Sequence, residues 1–316
     1  MKRLLILLLA VSCTALEPPA PVFVSLEFPF GHSKSSDPPE NRIEDLNLLV
    51  FNACGSLEES LWISSREYDG RTSFRMGLTT GTALTVAACA NIGRELKPAT
   101  LEEYKNTRIY LAYPDEYSHG MPLSGLTEVE LQSGDKSVAV RLERLMARVS
   151  VSVDRRALPS DVSLKFVSVR AGNCPKFATL AGPGKAIAEG DCFNSGFSKS
   201  WAEVDALNTD SSPGLSGEVS VYILENMQGD LLSGASSWDS NIPDSSHWLS
   251  GTAESTISTV CTFIELQAEC VSPSFTTPPG QYLTWRFYPG ARPGNFDLRR
   301  GTHYHFTLRP SAEACR

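Results

Sequence analysis

Between residues 22 and 30 apolar and polar positions alternate. Val22, Val24, Leu26, Phe28 and Phe30 fall on one side of an extended chain, and Phe23, Ser25, Glu27 and Pro29 on the other. A period of two marks a strand with one buried face. Burying the first set is worth roughly 8–15 kcal/mol at about 1.5–3 kcal/mol per side chain, before the entropy of ordering is subtracted. Such a strand needs a sheet to complete, and its loss leaves an apolar groove.

Residues 43–52 follow a different pattern. Leu46, Leu48 and Val50 face one way and Leu49 and Phe51 the other, which predicts a central strand covered on both faces. Gly55 turns the chain, and residues 57–64 return as its partner. Residues 82–90 form another buried strand, ending at Asn91-Ile92-Gly93. The mixed pattern over residues 96–106 predicts a helix, with Thr100 and Glu103 placed as a capping box.

A change of phase divides the chain. Val138, Val140 and Leu142 occupy even positions, whereas Leu145, Ala147, Val149, Val151 and Val153 occupy odd ones. One flat strand cannot switch its buried face without a bulge. A domain boundary is therefore expected near 144–146, with an N-terminal β-sandwich at 22–145 and a C-terminal one at 146–316. In the second half, 162–169, 217–224, 260–266, 283–288 and 303–308 read as strands, while 171–213 and 229–251 read as long loops. No clean internal repeat is visible. At 316 residues the chain exceeds what one core usually organises. The expected fold class is all-β: two tandem sandwiches with few short helices.

The N-terminus adds a targeting signal. Lys2 and Arg3 precede an apolar run, and Ala10-Val11-Ser12-Cys13 resembles a bacterial lipobox, with Ala10 where Leu is commoner. Residues 1–12 read as a signal peptide, and Cys13 as the site of diacylglycerol and further acyl (palmitate) attachment. The alternative is ordinary signal-peptidase cleavage, which releases a secreted protein. Residues 13–21 read as a lipid-linked spacer. The polar, Ser- and Pro-rich residues 31–41 read as an exposed loop ending at Arg42, a candidate protease-cleavage site in accessible backbone. The alternative is that Arg42 is simply a solvated loop residue.

Composition narrows the chemistry. Net charge is −8 and no cluster of Lys and Arg tracks phosphates, so nucleic acid is not an expected partner. With Cys13 set aside, Cys54, Cys89, Cys174, Cys192, Cys261, Cys270 and Cys315 remain, an odd set that leaves at least one thiol unpaired. There is no CxxC, and His303 and His305 alone make a poor metal site, so no metal or cofactor is expected. Gly182-Pro183-Gly184-Lys185 lacks P-loop spacing, and neither GxSxG nor HExxH occurs, which argues against an enzyme. Trp238 and Trp248 lie in a Ser- and Asp-rich stretch where aromatics could stack on sugars. A surface glycan-binding lipoprotein is therefore the alternative reading, whereas Trp285, alternating with Phe287, reads as packing.

Six stretches in order carry a resemblance: EDLNLLVFN at 44–52 with Gly55, TVAACANIG at 85–93, LERLMARV at 142–149, VYILENMQG at 221–229, CTFIEL at 261–266, and WRFYPG at 285–290 followed by NFDLRRGTHY at 295–304. Together they resemble the fimbrillins of Bacteroidales type V pili, in particular their lipid-linked anchor and accessory subunits. The resemblance implies transthyretin-like sandwiches, a surface-exposed lipoprotein of the outer membrane, and other fimbrial subunits as partners, with a glycan or host surface as a further ligand. It also implies assembly by β-strand complementation. In polymerising members an Arg-specific protease removes the first strand and a neighbour's C-terminal strand fills the groove. Arg42 stands where such a cut falls. Only residues 309–316 follow Leu308, where stalk subunits carry further strands. The expectation is an anchor, which keeps its first strand, or a tip or accessory subunit matured by cleavage after Arg42.

Overall fold

The computed structural model describes residues 20–29, 39–78, 81–117, 119–132, 135, 137–241, 252–273 and 275–311. Residues 1–12, read above as a signal peptide, and Cys13, Phe30, Trp248 and Cys315 lie outside them.

The alternating segment forms β1 (Ala20–Glu27). Val22, Val24, Leu26 and, just past its end, Phe28 are buried, while Phe23 on the other face is 49% exposed. There follow β2 (Leu46–Asn52), β3 (Leu57–Ile63), β4 (Ser73–Leu78), β5 (Ala83–Ala90), β6 (Arg108–Tyr110), β7 (Leu123–Glu130), β8 (Ser137–Arg141) and β9 (Glu143–Arg144). β1 lies between β4, antiparallel to it, and β8, parallel to it. The facing sheet has the order β3-β2-β5-β7-β9.

Both faces of β2 and β5 are buried, for a reason that only the assembled chain supplies. Leu46, Leu48 and Val50 pack toward β1 inside the first sandwich. Leu49, Phe51, Ala87 and Cys89 pack instead against Tyr104, Leu145, Met146, Ala178, Leu180 and Leu224, a core drawn from both halves of the chain. Tyr104 stands on α1 (Leu101–Asn106), shorter than the predicted 96–106. The Glu103 N–H donates to Thr100 Oγ1 at 3.1 Å, and the Glu103 carboxylate accepts the Ala99 N–H at 2.7 Å, one residue before the usual capping-box partner. Leu96 belongs to the extended chain ahead of the helix, where its N–H is taken by Asn47 Oδ1.

The change of phase resolves into three strands. After β8 and β9, β10 (Met146–Val153) begins, and its Ala147, Val149, Val151 and Val153 enter a separate core. The chain continues through β11 (Ser163–Gly172), β12 (Phe177–Thr179), β13 (Phe197–Ser198), β14 (Val219–Leu224), β15 (Asn226–Asp230), β16 (Phe263–Val271), β17 (Leu283–Phe287), β18 (Asn295–Leu298) and β19 (His303–Leu308). The stretch read as loop at 171–213 contains β12, β13 and α2 (Trp201–Val204), and β15 runs into the one at 229–251. The strand expected at 260–266 starts only at Phe263, because α3 (Thr252–Val260) occupies the preceding residues.

Sheet orders β14-β10-β19 and β13-β11-β16-β17 repeat β4-β1-β8 and β3-β2-β5-β7 of the first sandwich, in which β9 adds a fifth strand to the larger sheet. Each opening strand is antiparallel to a middle strand and parallel to the last one. The fold is thus two tandem β-sandwiches of one connectivity.

A shared core and a strand pairing tie them together. β12 pairs with β6 across the junction. Nearby, Arg300 and Glu225, 13% and 5% exposed, meet at 2.7 Å. Arg300 also donates to the Thr179, Leu180 and Gly182 carbonyls, and Glu225 accepts the Gly184 and Arg300 N–H groups. The buried thiols Cys89, Cys174, Cys192 and Cys261 serve packing; burial pushes the Cys192 thiol up to about 11 and the others higher. Because removing one partner strands the other's buried charge, Arg300→Met should cost about 3–5 kcal/mol of stability, measured by denaturant unfolding.

Candidate strand-exchange site

The surroundings of β1 make it a plug. Val22 and Val24 stand opposite Met76 and Phe74 of β4, while Val24 and Leu26 stand opposite Val138 and Val140 of β8. Among the described residues neither β4 nor β8 pairs with any other strand. The ladders extend past the strand ends, with the Leu26 N–H on the Thr72 carbonyl at 2.8 Å and the Leu142 N–H on the Glu27 carbonyl at 2.9 Å. Removing β1 therefore opens two ladders and an apolar row together.

Among the described residues β1 has a single covalent tie to its sandwich, through residues 28–45. Its counterpart β10 is continuous with β9 through Leu145 on one side and leads to β11 on the other. The same position is thus held by the chain in one sandwich and by docking in the other.

That tie is clamped just before β2. Arg144 donates to the Glu40 carbonyl at 3.0 and 3.2 Å and to Asn41 Oδ1 at 2.8 Å. Asn91, in the turn after β5 at φ +60°, donates through Nδ2 to the Arg42 carbonyl at 2.8 Å and the Met121 carbonyl at 2.7 Å. Its Oδ1 accepts the Glu44 N–H at 2.8 Å. Asn tolerates the left-handed region better than other side-chain-bearing residues. Gly120, at φ +95°, backs this turn so closely that a Cβ there would lie 2.5 Å from the Arg42 carbonyl oxygen. Asp45 accepts the Ile92 and Gly93 N–H groups at 3.0 and 2.9 Å. Burial holds its carboxyl above the ordinary value although these two bonds pull the other way.

Arg42 is consequently not in freely accessible backbone. Its side chain is 28% exposed and lies 3.6 Å from Glu44, and its carbonyl is held by Asn91. A protease binds an extended segment, so a cut after Arg42 requires this turn to open. The Ser- and Pro-rich composition of 31–41 signals a loop; what it cannot signal is a partner such as Asn91, whose Asn-Ile-Gly turn was the only local cue.

The remaining candidates fall elsewhere. His303 and His305 project from the outer face of β19, with Nε2 atoms 2.7 and 3.3 Å from Ser150 Oγ and Ser152 Oγ. Desolvation, helped by Arg148, holds His303 below its ordinary value. Among the described residues no group of three or more His, Cys, Asp or Glu is placed to hold a metal ion. Trp285 packs on Phe166, whereas Trp238 is 42% exposed, edge-on to the ring of Phe306.

Comparison with known proteins follows this architecture. A domain family of unknown function (DUF4906) matches residues 221–308, which run from within β14 to the end of β19. No curated protein matches the chain. Among solved structures, the tip fimbrial protein Mfa3 from Porphyromonas gingivalis, with a C-terminal truncation, is similar over 92% of this chain and 95% of its own, at 14% identity and a TM-score of 0.53. The fimbrilin FimA of Porphyromonas gingivalis W83 is similar over 93% of this chain and 91% of its own, at 14% identity and a TM-score of 0.52. The chain has the two-sandwich fold of the Bacteroidales fimbrillins.

Proposed function

We propose that the chain is a non-enzymatic fimbrial subunit, an anchor or accessory component of an adhesive fibre. Lipid on Cys13 holds it at the outer membrane, and the groove between β4 and β8 is where strand complementation joins it to another subunit. The observation that carries this reading is the isolation of β1, which completes a core and two ladders yet has one covalent tie to its sandwich among the described residues. The fold shared with fimbrial proteins supports it. The clamp of Asn91, Gly120 and Arg144 on residues 40–44 favours retention of β1, and with it the anchor role over a tip subunit matured at Arg42.

Isolation of the native protein tests the role. The expected product has an acylated Cys13 terminus, is uncut at Arg42, and co-purifies with other fibre subunits; an unacylated chain that purifies alone contradicts it. The clamp has its own test. Asn91→Gly keeps the positive φ and deletes the side-chain bonds, a local loss of about 1–2 kcal/mol. Trypsin should then cut after Arg42 roughly 5- to 30-fold faster under native conditions, followed by intact mass.

A further inference from the structure

The two sandwiches share a connectivity but treat their last strands differently. In the first, β7 covers the outward carbonyls of β8: the Thr127 hydroxyl donates to the Ala139 carbonyl at 3.0 Å, and a Cβ on Gly125 would lie 2.1 Å from the Arg141 carbonyl oxygen. In the second, β19 pairs with β10 and, among the described residues, with no other strand. Its ladder uses even-numbered residues, since the Arg148 N–H donates to the Thr302 carbonyl at 2.9 Å and the Asp154 N–H to the Leu308 carbonyl at 2.8 Å. Successive residues of a strand aim their N–H and C=O groups to opposite sides, so those of His303, His305 and Thr307 face away from β10. The strand contains no Pro, Lys or bulge, the devices that usually blunt such an edge.

This edge borders a groove of about 990 Å³ with an aromatic wall of Trp238, Phe287, Tyr288 and Phe306. The rings of Phe287 and Phe306 are 4.8 Å apart. On a protein of net charge −8 the groove is lined by exposed Arg299 and by Arg309, which also reaches Asp154 at 3.6 Å. The acid among its lining residues, Asp297, is occupied by the Gly229 N–H and by Asn295 Nδ2.

We propose that β19 and this groove form a second docking site, distinct from the β1 groove, for an extended acidic segment of a partner polypeptide. The segment adds as a strand along residues 303–307, sets alternate apolar side chains against the aromatic wall, and places its carboxylates beside Arg299 and Arg309. A sugar stacked on Trp238 is the competing occupant, but it leaves the regular row of backbone donors and acceptors without a matching partner.

Selection from a random-peptide display library against the full-length chain tests this. Enriched peptides should alternate apolar residues with Asp or Glu. They should bind about tenfold or more weakly to His305→Pro, which removes an outward N–H and spares the ladder bonds of Tyr304 and Phe306. Should proline disturb β19, Trp238→Ala alters an exposed side chain and should weaken the same peptides, as should Arg299→Glu combined with Arg309→Glu. Leu26→Ala in β1 should leave their affinity unchanged, which separates this site from the first. The proposal is overturned by failure to enrich any peptide, by peptides without alternation, by binding indifferent to both His305→Pro and Trp238→Ala, or by a glycan panel that binds through Trp238 where peptides do not.

Discussion

The docking of β1 between β4 and β8 is the interaction on which the first sandwich depends. Burial of Val22, Val24, Leu26 and Phe28 is worth roughly 6–12 kcal/mol, of the same order as the whole stability of a typical domain, about 5–15 kcal/mol. The contribution comes from one short segment whose place in the sheet is secured by packing and hydrogen bonds. A core completed in this way is stable while the groove is filled and unstable when it is empty.

The second sandwich shows what the alternative costs in adaptability. β10 fills the equivalent position, but it is continuous with β9 and leads to β11, so it stays with its domain. The two halves also share a core: Leu49, Phe51, Ala87 and Cys89 on one side meet Met146, Ala178, Leu180 and Leu224 on the other. This core and the pairing of β6 with β12 join the two sandwiches, and within the second Arg300 and Glu225 are buried beside the segment that follows β12.

Much of this was legible in the residues where period and burial coincide. β1 and β19 read as strands because one face meets a core, and β2 because both do. Legibility failed where structure is set at long range. Strands as short as β12 and β13 have no period to detect, so residues 171–213 read as loop. Ile257 and Val260 belong to α3, yet run into the apolar start of β16 and pulled the predicted strand toward the helix. The shared connectivity of the sandwiches left no repeat in sequence, since pairing order is a property of contacts and tolerates different side chains. At the candidate site, the alternation of β1 was plain, but the hold on Arg42 comes from Asn91 and Gly120, far along the chain, and the open edge of β19 is visible only once its partner is known.

As a separable plug, β1 should govern one sandwich and not the fold as a whole. Hydrogen exchange on the full chain, nicked after Arg42 and measured before and after the N-terminal fragment is separated, tests it most directly. Amides of β4 and β8 should lose protection together when the fragment leaves, those of β10 and β14 should keep theirs, and adding the fragment back should restore the first pair. Protection of β4 and β8 that survives removal of β1, or its simultaneous loss across both sandwiches, would contradict it.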